Sequence, residues 1–251
     1  MARRQGNVIP YMERNENNDG GGMLKAILFD LDNTLLDFSG FKRESAHAAA
    51  KAMKKAGIPL SEKELYDRIY KVYDEKGIEY QRTFGDVLYG LELTQHELER
   101  ARQAAVIAYT KKKYECIKPR TKVIQMLSSL KRKYKLGIVT DAPREKAWQR
   151  LILSGLDRFF YPVVTYNDTL EHKPSLKPFE LALFLLKVKP DEVLFVGDNP
   201  ERDIIGAKKA GLHTCLAKYG CVGYTEEVDV ADYSIGKFEE LEKTIQKFME
   251  E

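Results

Sequence analysis

The chain has 251 residues, 43% of them hydrophobic and 31% charged, which excludes a disordered or fibrous protein and allows one sizeable core or a core with an inserted subdomain. Its 41 basic and 38 acidic residues leave a net charge of only +3, so electrostatics give no case for a nucleic-acid or membrane partner. Three scattered cysteines, Cys116, Cys215 and Cys221, and four dispersed histidines indicate neither a disulfide framework nor a structural zinc site, and point to a reducing, cytoplasmic compartment.

Residues 1–22 are polar and aperiodic and end in Asp19-Gly20-Gly21-Gly22. They hold arginines but no apolar stretch, so they do not read as a secretory signal. A disordered extension is expected there, with Met23 as the natural start. Leu24 to Phe29 is a short apolar run that reads as a buried strand. Asp30-Leu31-Asp32-Asn33-Thr34 follows directly. Lys42 to Ala56, Ser61 to Lys76 and Thr94 to Tyr114 read as helices, Ser61 with Glu64 forming a capping box. No convincing strand separates them. The predicted division is a core domain at 23–37 and 118–251, interrupted by a helical cap subdomain at 38–117 that follows the Asp pair as a lid. Lys111-Lys112-Lys113 and Lys131-Arg132-Lys133 read as solvated helix faces.

From Pro119 the chain alternates. A helix at Thr121 to Tyr134 precedes a strand at Leu136 to Thr140, and a helix after Pro143 ends near Gly155. A strand at Pro162 to Thr165 is followed by a loop through Lys173. Phe179 to Lys187 is helical, Val193 to Gly197 a strand, Asp203 to Ala210 a helix and His213 to Ala217 a strand. Ala231 to Ile235 is an edge-strand candidate and Phe238 to Met249 a terminal helix. Alternation with continuous apolar strands predicts an α/β fold, a doubly wound parallel sheet covered by helices on both faces.

Four strand ends then carry chemistry. Asp30 and Asp32 lie at i and i+2, so in an extended segment they share a face, and ligands of open α/β sheets bind at that end of the strand. Two acids buried there need an offset, most simply a divalent cation. Thr140-Asp141 offers a hydroxyl and a following backbone N–H suited to a phosphate oxygen. Lys173-Pro174 offers an ammonium. Gly197-Asp198-Asn199-Pro200-Glu201-Arg202-Asp203 is a second acid pair with a glycine for close approach. Each signal has a structural alternative: an Asp-capped turn, a strand-end Thr, a surface Lys before Pro, a helix N-terminal acid. Together they give hard oxygen ligands without His or Cys, which indicates magnesium rather than zinc.

On these motifs, with Phe179 after Lys173 and Ile204 to Gly211 after Asp203, the chain resembles the haloacid dehalogenase superfamily over residues 24–250, and specifically its phosphatase branch with a small helical cap. The resemblance implies a magnesium-dependent phosphatase. Asp30 is then the nucleophile that forms an aspartyl-phosphate, and Asp32 the general acid and later base. Magnesium is expected on Asp30, the backbone carbonyl of Asp32 and Asp198, with Asp203 binding it directly or through water. Thr140, Asp141 and Lys173 bind the phosphoryl group, Lys173 also counting among the catalytic residues. A dehalogenase is disfavoured, because the family's dehalogenases lack an acid at the position of Asp32. A phosphomutase of the same fold and a non-catalytic phosphometabolite-binding protein are the remaining alternatives. The expected substrate is a small phosphorylated metabolite, with glyceraldehyde 3-phosphate suggested by the archaeal-type members the chain resembles. Arg43, Tyr80 and Arg82 of the cap are candidates for contacting the leaving group.

Overall fold

The structure, a computed structural model, describes residues 23–221 and 231–250; the extension expected at 1–22 lies outside them. The chain forms two compact units, one of residues Asp37–Lys118, the other of the chain up to Leu36 together with Pro119 onward. Among the described residues, no helix is long and apolar enough to cross a membrane.

The α/β unit is built on a six-stranded sheet in which every neighbouring pair is parallel. Its strands are β1 (Ala26–Phe29), β2 (Lys135–Val139), β3 (Val163–Val164), β4 (Val193–Gly197), β5 (His213–Ala217) and β6 (Tyr233–Ile235), in the order β3-β2-β1-β4-β5-β6. Every residue of β1 and β4 is buried, as apolar runs covered on both faces must be. Ile27 sits opposite Leu136 on one side and Leu194 on the other. The chain steps outward from β1 to β3 and then returns to place β4 on the other side of β1. That reversal opens a crevice at the carboxyl ends of β1 and β4, where doubly wound sheets bind ligands.

Helices α5 (Val123–Leu130), α6 (Arg144–Ser154), α7 (Tyr166–Thr169), α8 (Lys177–Leu186), α9 (Ile205–Lys209) and α10 (Leu241–Glu250) complete this unit. Phe179, Ala182 and Leu186 of α8 join Leu28, Val139 and Phe195 in one buried cluster. Three elements depart from the sequence reading. The helix expected from Asp203 starts at Ile205, because Pro200–Ile204 form a wider, π-type turn. There the Asn199 side chain accepts from Arg202 N–H at 2.9 Å and the Asp203 side chain from Asn199 N–H at 3.0 Å. The loop through Lys173 contains α7, a single turn in which Thr165 N–H and Oγ1 donate to Asp168 Oδ2 at 2.8 and 2.6 Å; one turn is too short to show a period. The terminal helix begins with a tight 3-10 turn at Phe238–Glu240.

The helical unit holds α1 (Phe38–Lys55), α2 (Glu62–Lys76), α3 (Thr83–Leu88) and α4 (Gln95–Cys116). Buried Ala46, Ala49 and Ala50 of α1 and Ala101 and Ala105 of α4 share one core, and small side chains let helix backbones approach. The Ser61–Glu64 capping box forms in full, with bonds of 2.8 and 3.1 Å. Six-residue α3 is absent from the sequence reading, since Gly85 interrupts its pattern.

Candidate active site

β1 ends at Phe29, and the ladder runs one residue further: Asp30 N–H donates to Val196 O at 2.9 Å. This fixes the Asp30 backbone against β4. The chain then turns sharply, with Asn33 at φ +62°, a left-handed conformation that Asn tolerates well. Asp30, Asp198 and Asp203 converge at the crevice, each offering a carboxylate oxygen within 4.8 Å of the others.

Lys173 enters the same cluster from the loop after β3. Its ammonium lies 2.7 Å from Asp30 Oδ1 and 2.6 Å from Asp203 Oδ1, and donates to Val139 O at 3.0 Å. Lys173, Asp30 and Asp203 are all buried, at 3%, 6% and 2% exposure, so each charge there depends on its neighbours. The loop is anchored by Phe179, which meets Phe195 edge-on at 5.1 Å. Gly206 makes that anchor fit: a Cβ there would lie 2.7 Å from the Phe179 ring and 3.0 Å from Pro174 Cα. Gly197 plays the same part for Asp203, whose Oδ2 would stand 2.5 Å from an added Cβ.

Burial pushes the Asp30 carboxyl well above the ordinary range; Lys173 opposes this, while Asp203, Asp198 and Asp32 reinforce it. Burial also raises Asp198, to about 7, with the Asp203 charge adding to it and Lys173 and the Thr34 hydroxyl, 3.2 Å away, opposing. For Lys173, burial alone would lower the value, but the charges of Asp203, Asp30 and Asp141 outweigh it and hold the ammonium protonated. Acids that are costly to ionise, with carboxylate oxygens within 4.8 Å of one another and offering only oxygen donors, fit a hard divalent cation.

Thr140 is buried at the end of β2, and its Oγ1 accepts from Ala142 N–H at 3.2 Å. Its O–H remains a donor for a ligand oxygen. The Asp141 carboxylate accepts from Lys173 N–H at 2.9 Å, with Arg202 Nη1 3.4 Å and His172 Nδ1 3.8 Å away. Its side chain therefore braces the Lys173 loop, and only its backbone N–H suits a phosphate. The Asp32 carboxylate is not in the three-acid cluster; it accepts from Arg150 Nη1 of α6. The structure thus gathers Asp30, Lys173, Asp198 and Asp203 into one contact network, with Asp32, Thr140 and Asp141 on the adjoining turns. Arg43 and Arg82 are exposed and Tyr80 half-buried in the helical unit.

Sequence reasoning missed Arg150, Thr34 and the turn at Lys218–Gly220. Tyr219 Oη of that turn donates to Thr34 O at 3.0 Å, and Cys221 Sγ donates to Asp198 O at 2.9 Å. Thr34 stands in the Asp30–Thr34 stretch without a role assigned to it, and the helical spacing of Arg150 offers a faint signal. That arginine sits at the third position between Ala147 and Ser154, on the buried face of α6.

Comparison with known proteins agrees with this architecture. The sequence pattern of the haloacid dehalogenase-like hydrolases matches residues 27–217. A protein of Methanopyrus kandleri named glyceraldehyde 3-phosphate phosphatase is 37% identical over 225 residues, covering 87% of this chain and 96% of that protein. Pyrophosphatase PpaX of Bacillus mycoides is 31% identical over 226 residues, with coverage of 87% and 95%. The crystal structure of an HAD phosphatase from Thermococcus onnurineus is similar at a TM-score of 0.63 and 26% identity, covering 88% of this chain and 98% of that one.

Proposed function

This chain belongs to the haloacid dehalogenase-like hydrolases, a phosphoric monoester hydrolase among them, and from that premise we propose that it cleaves a small phosphorylated metabolite through an aspartyl-phosphate with magnesium as cofactor. The carrying observation is the Asp30–Lys173–Asp203 contact network beside Asp198 at the switch point of the sheet.

Asp30, Asp198 and Asp203 would hold the cation, with the backbone carbonyl of Asp32. When bound, magnesium supplies positive charge that favours ionised Asp30 and offsets charge on the transferring phosphoryl group. Lys173 Nζ and Thr140 Oγ1 orient the phosphoryl oxygens, with backbone N–H groups of the Thr140–Asp141 turn. An Asp30 carboxylate oxygen attacks phosphorus as the ester P–O bond breaks, and the departing oxygen takes its proton from Asp32. Asp32, now a carboxylate, accepts a proton from water as that water attacks the phosphoaspartate, releasing inorganic phosphate and restoring Asp30. The need for an acid in the first half and a base in the second is what Asp32 serves, and its presence opposes a dehalogenase reading.

Glyceraldehyde 3-phosphate is the first substrate to try, on the strength of the Methanopyrus kandleri relative, and inorganic pyrophosphate the second, on that of the Bacillus mycoides relative. The helical unit is the proposed cap that selects the leaving group. Free Cys116, Cys215 and Cys221 support a cytoplasmic location. The deciding experiment measures phosphate release from p-nitrophenyl phosphate, glyceraldehyde 3-phosphate and pyrophosphate, with magnesium, with EDTA, and with Asp30→Asn. Magnesium-dependent release, reduced on the order of 10⁴-fold by the substitution, is expected. No release from any of them by folded wild type would overturn the reading.

A further inference from the structure

Arg150 is the largest fully buried side chain of the molecule's described residues, 1% exposed. It lies on the face of α6 that also buries Ala147, Leu151 and Ser154, positions where an apolar residue would serve packing. Its Nη1 instead donates to Asp32 Oδ2, across 118 residues of sequence. The Asp32 side chain is 21% exposed. The carboxylate is only partly open to water, with Oδ1 shielded, and burying an arginine to meet it brings little net stability, because the desolvation of the guanidinium offsets the attraction. The arrangement makes more sense as a support: a rigid, fully enclosed fork that fixes a carboxyl group whose other oxygen, Oδ1, is also shielded from solvent.

We propose that Arg150 is the positioning residue for Asp32, holding its carboxyl group in the orientation needed for proton transfer to and from the reacting oxygens. The inference rests on the phosphatase reading above. The planar fork of arginine fixes an angle as well as a distance, and a lysine at 150 supplies charge without that constraint.

The experiment compares kcat/KM for phenyl phosphate and p-nitrophenyl phosphate, two esters of similar shape. The phenolate leaving group, with a conjugate-acid pKa of about 10, as for tyrosine, depends on a proton donor more than the nitro-stabilised one. Both rates report only steps up to formation of the phosphoenzyme. Arg150→Met is expected to lower the phenyl rate about tenfold more than the p-nitrophenyl rate, as misplacing an acid removes part of its contribution. Arg150→Lys should lie between it and wild type. In an Asp32→Asn background, Arg150→Met should leave the ratio of the two rates unchanged. If Arg150→Met fails to fold by circular dichroism, Arg150→Lys is read by the same two criteria. Equal losses for both esters, or a further fall of the ratio in the Asp32→Asn background, would reject the role of Arg150. Wild type inactive on both esters would instead reject the phosphatase reading itself.

Discussion

The most deeply buried lysine of each unit is held in a different way. Lys173 of the α/β unit sits between Asp30 and Asp203 at 2.7 and 2.6 Å. Lys42 of the helical unit, 4% exposed, donates to Ile78 O at 2.8 Å, with Glu79 farther off at 3.5 Å. Around Lys42 stand the rings of Phe38, Tyr73 and Tyr109, 5.4 to 5.8 Å from the ammonium. One cation is embedded between two buried carboxylates, the other among ring faces and a carbonyl dipole with a single half-buried carboxylate, Glu79, at 3.5 Å. The first arrangement concentrates field at a point where charge must be moved. The second disperses it, which suits a strut that ties α1 to the turn after α2.

Lys173→Met tests the contrast most severely. It leaves Asp30 and Asp203 buried without their ammonium, and removing one partner of a buried pair typically costs about 3–5 kcal/mol. Urea unfolding in EDTA should show that loss, phosphate release should vanish, and magnesium should return much of the stability, one cation standing in for another. Stability in EDTA equal to wild type would show that Lys173 is not balancing those charges. Gly197→Ala comes next. An added Cβ 2.5 Å from Asp203 Oδ2 forces that carboxylate aside, at about 1–3 kcal/mol. Isothermal titration should also show weaker magnesium binding; unaltered affinity would remove Asp203 from the proposed ligand set.

The difference between the two lysines also explains what could be read from the sequence. Asp30, Thr140 and Asp198 announce themselves because each directly follows a run such as Ala26–Phe29 or Val193–Gly197 that must be a buried strand, and Lys173 and Asp203 lie in the segments that follow such strands. A polar residue at the end of such a strand has one place to go, and a parallel sheet brings those places together. Helices give no such address. Lys42 and Arg150 lie in patterns crowded with other charges, so each reads as a solvated face until the packing shows otherwise. Asp32 was legible as an acid, but its partner was not, because the two are 118 residues apart. The Pro200–Ile204 turn escaped for a related reason. Asp203 and Asn199 bond to backbone N–H groups that the sequence assigns to an ordinary helix start.

Magnesium and pH sharpen the comparison from the side of the acids. The Asp198 carboxyl, held up to about 7 against an ordinary 3.8, binds its proton more tightly folded than unfolded. In metal-free protein its contribution to stability is therefore full below 3.8 and is lost as pH rises through about 7. Magnesium must displace that proton, so its stabilising effect runs the other way and grows as pH rises across the same window. At a concentration 100 times Kd it should add about 2.7 kcal/mol at pH 8, and apparent affinity should fall by at least about tenfold per pH unit well below 7, because the raised Asp30 carboxyl must give up its proton as well. Thermal melts at several pH values with and without magnesium check this; an increment independent of pH would mean that Asp198 is already ionised in the folded protein.

Lys42→Met is the smallest and the most discriminating of the set. Methionine keeps most of the stem against Phe38, Tyr73 and Tyr109 and removes the ammonium along with its bond to Ile78 O. The loss of attraction to the rings, the carbonyl and Glu79 is largely offset by no longer burying a charge, so about 1 kcal/mol of destabilisation is expected. The informative quantity is its dependence on magnesium. A strut within the helical unit has no cation to compete with, so the loss should be identical in EDTA and in saturating magnesium, whereas the loss in Lys173→Met should shrink. The unfolding midpoint of Lys42→Met in the two conditions decides the matter. A magnesium-dependent change would mean that Lys42 belongs with Lys173 to the charge system of the site.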